Sequence, residues 1–155
     1  MKKKILLIIS LVFLLVFTSC EKDKDIPNSI KFSTTKVLPL INVEINGVKA
    51  KLLIDTGANL SMIDYHVAEK YGFKVINIQD MEVTGVGGVR KVYHTMGVET
   101  YYNGEPMYVR FKSADMKNIR FQLGIVGIVG SDYLLQHEMI IDYKNKVLRK
   151  SNMLD

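Results

Sequence analysis

A single cysteine, Cys20, no tryptophan and only three prolines stand in 155 residues. One thiol cannot close an intrachain disulfide, so the chain has no disulfide framework and must be held by a packed core. Long apolar runs are also missing. The longest, Ile5 to Phe17, is too short as a helix to cross a hydrocarbon layer of about 30 Å, which takes roughly 20 apolar residues. There is no dense basic block and no aromatic-basic run, which removes the usual support for nucleic-acid binding. The three histidines, His66, His94 and His137, share no metal-ligand spacing and have no cysteine partners, so no metal and no cofactor is expected.

What is present begins with Lys2, Lys3 and Lys4 ahead of that apolar run, followed by Thr18, Ser19 and Cys20. A basic start, a short apolar stretch and small residues are the three parts of a secretory signal. The cysteine falls where cleavage would make it the new N-terminus. In this it resembles a bacterial lipoprotein signal, although Phe17 departs from the usual aliphatic residue. The resemblance implies removal of residues 1–19, lipid on Cys20, and a protein anchored to a membrane of the bacterial cell envelope. An ordinary signal peptide with an incidental cysteine is the alternative. Removing residues 1–19 takes three lysines and no acid, so most of the net charge of +5 belongs to the signal. Residues 20–29, with alternating charges and Pro27, read as a solvated tether.

From residue 30 to 155 one domain is expected, all-β in class. Short β-branched segments alternate with turn dipeptides. Val37–Ile45 and Val48–Ile54 flank Asn46-Gly47, which tolerates the positive φ of a tight hairpin turn. Asn103-Gly104 does the same between Val98–Tyr102 and Met107–Phe111, and Lys144-Asn145 turns Met139–Asp142 into Val147–Arg149. One or two short helices are expected: Asp64–Tyr71, with Asp64 as N-cap and Gly72 as stop, and Asp132–Gln136.

Chemistry concentrates in Leu52-Leu53-Ile54-Asp55-Thr56-Gly57-Ala58-Asn59-Leu60-Ser61. An acid directly after a fully apolar strand end loses hydration unless donors surround it. A glycine two residues later lets backbone come close. Read alone, Asp-Thr-Gly is equally a simple turn. Two further blocks follow in order, Thr84-Gly85-Val86-Gly87-Gly88-Val89 and Gly127-Ile128-Val129-Gly130-Ser131-Asp132-Tyr133-Leu134. With these three blocks the chain, from about Lys36 to Lys150, resembles the retropepsin-like aspartic proteases.

That resemblance implies a small closed β-barrel with a flap hairpin, acting as an endopeptidase on a peptide or protein substrate. Asp55 is then the catalytic acid/base. Thr56 bonds across a dimer axis and Gly57 presents backbone to substrate. Ala58 and Asn59 line the cleft, although retroviral members carry an acid at the position of Asn59. Gly85, Val86, Gly87 and Gly88 form the flap, and Ile128 and Val129, bordering the substrate, pack with Gly130 behind the loop. One chain holds one Asp-Thr-Gly, whereas the reaction needs two carboxylates sharing a proton. A two-fold homodimer supplies the second.

The glycines at 85, 87 and 88 lack the third glycine of a dinucleotide site and the Lys-Ser/Thr of a P-loop. Ser61 has no Gly-x-Ser-x-Gly elbow around it and is expected to cap the helical turn that follows. Asp132 is expected to cap its own helix or bond a nearby loop, and Asp142 to be structural. A non-catalytic peptide-binding or assembly module on the same barrel, and a purely structural envelope lipoprotein, are the competing functions.

Overall fold

The structure, a computed structural model, describes residues 26–35, 37–85 and 88–153. The signal segment, Cys20 and the first half of the tether lie outside these residues, as do Val86 and Gly87 of the expected flap.

Alternation builds the first long hairpin. In β3 (Leu38–Ile45) and β4 (Val48–Ile54), Ile41, Val43, Ile45, Ala50 and Leu52 are buried, while Asn42, Glu44 and Lys49 face out. Period-two patterning puts one set on each face of the sheet. The turn is Asn46-Gly47, with φ of 48° and 78°. The Asn46 side chain donates to the carbonyls of Tyr71 (2.8 Å) and Gly97 (2.6 Å) and accepts from Glu99 N (2.8 Å), which ties the turn to two other segments. Asn103-Gly104 has φ of 50° and 84° and joins β8 (Thr100–Tyr102) to β9 (Glu105–Met107). β2 (Ser33–Thr35) pairs with the start of β3, Val37 ahead of it standing at φ 65°, a hairpin the sequence does not advertise.

The remaining strands are β1 (Ile30–Lys31), β5 (Met62–Asp64), β6 (Lys74–Gly85), β7 (Gly88–Met96), β10 (Lys112–Ala114), β11 (Gly127–Val129), β12 (Met139–Asp142) and β13 (Val147–Lys150). The large sheet runs β6-β7-β10-β5-β11-β4-β3-β8-β9, with β2 beside β3; β1, β13 and β12 form a second, three-stranded sheet. The fold is thus mostly β. Among the described residues no pairing joins β6 to β9.

Two apolar clusters sit on opposite faces of β4. Leu52 and Ile54 belong to the larger, with Ile41, Ile63, Tyr133 and Leu148. Leu53 belongs to a smaller one, with Leu40, Val92, Met116 and Ile128. Burial on both faces is why the end of β4 reads as an unbroken apolar run.

The helical segments are short. Asp64 accepts from His66 N at 3.2 Å as the cap of a single turn at Tyr65–Val67, which leads into α1 (Ala68–Tyr71) and stops at Gly72, φ 67°. α3 spans Ser131–Gln136. Between them is a helix the sequence reading did not anticipate, α2 (Lys117–Leu123), which buries none of its residues. It is fastened by Arg120 Nε, 2.7 Å from Oδ2 of the fully buried Asp64.

Candidate active site

β4 delivers Asp55 to the end of a strand gripped from the side. β11 pairs with it in parallel, Gly127 to Leu52, Ile128 to Leu53 and Val129 to Ile54. Asp55 N then donates to Val129 O at 3.0 Å, extending the ladder by one bond. β11 also pairs antiparallel with β5. A Cβ on Gly127 would fall 2.5 Å from Met62 O, so the close approach of the two strands requires glycine there.

The loop beyond Asp55 is clamped by the start of α3. Ser131 N donates to Ala58 O (2.8 Å) and Ser131 Oγ to Thr56 O (2.9 Å). Further along, the fully buried Ser61 donates from Oγ to Asp132 Oδ1 (2.7 Å) and from N to Asp132 Oδ2 (3.0 Å), while its Oγ accepts from Gly130 N (3.0 Å). Tyr133 N completes the set on Asp132 at 2.8 Å. Ser61 therefore does not cap the following helical turn; Asp64 does. Asp132 bonds a neighbouring loop rather than capping α3, whose N-cap is Gly130.

Within this frame the Asp55 carboxylate is half-buried. Its Oδ1 accepts from Gly57 N at 2.9 Å, and Oδ2 has no partner among the described residues. A cleft of about 360 Å³ opens over it, lined by Gly57, Ala58 and Asn59 of the loop, by Val83, Thr84 and Arg90 of the β6–β7 hairpin, and by Met116, Ile119 and Ile128. The glycine-rich segment is thus the tip of a long hairpin whose stem faces the acid, with Gly85 opposite Gly88 at its end and Gly88 at φ 90°. Thr56 is exposed at the loop's edge. Ile128 reaches the cleft, but Val129, expected to border the substrate, is fully buried and serves the loop through its carbonyl.

On the cleft wall Asp115 is held below the ordinary carboxylate range. The Lys117 N–H (3.1 Å) is the largest cause, opposed by partial burial and assisted by His66 (3.4 Å) and Arg90. Burial pushes the Tyr133 phenol up. Asp64, His66 and Asp115 place one ligand-type atom each within 4.8 Å of one another. Arg120, His66 N and Met116 N already bond the Asp64 carboxylate, so this grouping is accounted for by the ion pair.

A family model described as aspartyl protease matches residues 41–133. The chain belongs to that family, and its fold is retropepsin-like. Structural relatives are EIAV protease with an inhibitor bound (25% identical, TM-score 0.50, covering 67% of this chain and 93% of that one) and the retroviral protease-like domain of Ddi1 from Leishmania major (23%, 0.53, 77% and 91%). A retropepsin-like aspartic protease from Rickettsia conorii aligns at 19% identity, TM-score 0.50, over 77% and 86%. The UBA domain-containing protein Mud1 of Schizosaccharomyces pombe is 30% identical over 114 residues, 70% of this chain. The chain spans 32% of that relative's length.

Proposed function

We propose that this chain is an aspartic endopeptidase whose active site forms when two copies meet at the Asp55 loop, the sheet of each curving into a barrel. The observation that carries it is the Asp55 carboxylate itself, held through Oδ1 by backbone, open through Oδ2, and lying between a clamped loop and a facing hairpin. One chain supplies one such group. Two of them across a two-fold axis flank a water: the ionised member takes its proton as hydroxide adds to the peptide carbonyl, and the protonated member donates to the carbonyl oxygen. Collapse of the tetrahedral adduct, with a proton delivered to the amine, breaks the C–N bond. Thr56, exposed at the loop's edge, bonds to the partner's loop, and the hairpin stems close over an extended peptide paired strand-like with them. Processing at Cys20 and a lipid there tether the domain to a membrane of the cell envelope.

Asp55→Asn should abolish cleavage of a peptide library, by at least about a hundredfold, and leave the thermal midpoint unchanged. Wild-type activity should be blocked by a statine-type mimic and fall with the square of chain concentration once the dimer dissociates. Full activity of the variant would overturn the assignment. A folded wild-type dimer that binds peptides without cleaving them would make the domain a binding module.

A further inference from the structure

A second groove lies apart from the one over Asp55. About 760 Å³ in volume, it runs along the outer face of β3 and β4 towards α2. Its cations are Lys49, Lys51, Lys70 and Arg120, and Glu44 is the single acid among the described residues that line it. Arg120 is met by Asp64 behind it. The three lysines have no carboxylate within ion-pair distance among the described residues. The floor is apolar where Val43 and Ile125 come through. A concave channel with an apolar floor and lysines that meet no carboxylate fits an extended chain carrying acids, and fits a flat surface poorly.

Its position matters as much as its charge. α2 stands between the groove and the cleft: Ile119 lines the cleft and Arg120 the groove. Lys49 and Lys51 of β4 line the groove and Asp55, just past the end of β4, lines the cleft; Ile125 and Val126 of the groove precede β11, whose Ile128 lines the cleft. Groove and cleft thus flank the same short helix.

We propose that this groove is an exosite for an acidic segment of the protein substrate, several residues from the bond that is cut. This rests on the protease reading above. It assigns the substrate class as chains in which an apolar scissile stretch is followed or preceded by a run of Asp and Glu.

The test uses matched peptides with one cleavable core and an acidic, a neutral or a basic extension at either end, on wild-type protein and on a Lys49→Glu/Lys51→Glu/Lys70→Glu variant. The acidic extension should lower KM roughly tenfold at low salt, as expected of three exposed charge pairs, with kcat unchanged. The triple variant should lose that advantage and keep its rate on the bare core. Equal KM for all extensions would overturn the exosite while leaving the protease reading intact. If no core is cut, fluorescence anisotropy of the same peptides on wild-type and triple-variant protein still decides: preference for acidic peptides that the variant loses upholds the groove, and its absence rejects it.

Discussion

The Asp55 loop and the hairpin that faces it are both glycine-bearing connections, built in opposite ways. In the loop, Asp55 N, Gly57 N, Thr56 O, Ala58 O and the N and Oγ of Ser61 have named partners, most of them on β11 and α3. The distal hairpin pairs chiefly with itself, and Met81, Glu82, Thr84, Val89, Arg90 and Lys91 are exposed. The protease proposed above asks for both: a carboxylate held in one place, which the first suits, and a segment that admits a chain, which the second suits.

Breaking the rigid side should cost most. Gly130→Ala brings a Cβ to 2.7 Å from Leu60 C and 2.8 Å from the carbonyl oxygens of Ala58 and Leu60. Neither neighbour can rotate away, because both are backbone. Urea denaturation should show a loss of about 2 kcal/mol or more, and unchanged stability would mean the clamp yields as easily as the hairpin. Next comes Asp132→Ala, which strips the acceptor from Ser61 Oγ, Ser61 N and Tyr133 N. A loss of about 1–3 kcal/mol is expected by the same measurement, smaller for Asp132→Asn, whose amide oxygen still accepts.

On the compliant side, Gly88→Ala meets nothing within 4 Å but must hold φ 90°. Strain of about 1 kcal/mol should appear as faster amide exchange within β6 and β7, with the global midpoint scarcely moved. A large fall in midpoint would show the hairpin to be part of the cooperative core. The smallest effect is acid sensitivity at a site remote from both. Asp142 is held below the ordinary carboxylate range, first by the Asn145 side chain (2.8 Å), then by Asn145 N (3.0 Å), with Arg149 a lesser cause. A depressed folded-state value stabilises above the unfolded one and is lost as pH falls through the folded one. The midpoint difference between wild type and Asp142→Asn should therefore shrink as pH falls below about 4; a difference growing in acid would contradict the sign.

Local chemistry explains what could be read from the chain. Asn46-Gly47, Asn103-Gly104, the Asp64 cap and the Gly72 stop each act within a few residues, and each is found where its sequence signal lies. The misses depend on distant partners. α2 has no side-chain cap and no buried face, and its anchor to Asp64 spans 56 positions. Met107, Val109 and Phe111 alternate as a strand should and are buried on alternation, yet only Glu105–Met107 finds a partner strand. Periodicity reports which face is buried, not whether a ladder forms. At the site, Asp55 and its facing hairpin were legible from three ordered blocks, whereas Ser61 and Asp132, 71 residues apart, meet only in three dimensions.

The parallel seam between β4 and β11 also sets a schedule. Asp55 N is bonded by a carbonyl 74 positions later, and the clamp arrives later still, with Ser131 and Asp132. A ribosome emits the acid long before it emits the segment that holds it, and contacts of such separation close slowly. A chain cut short between residues 57 and 127 has the Asp-Thr-Gly but not its frame, so synthesis itself withholds the framed Asp55 loop until nearly the whole domain exists.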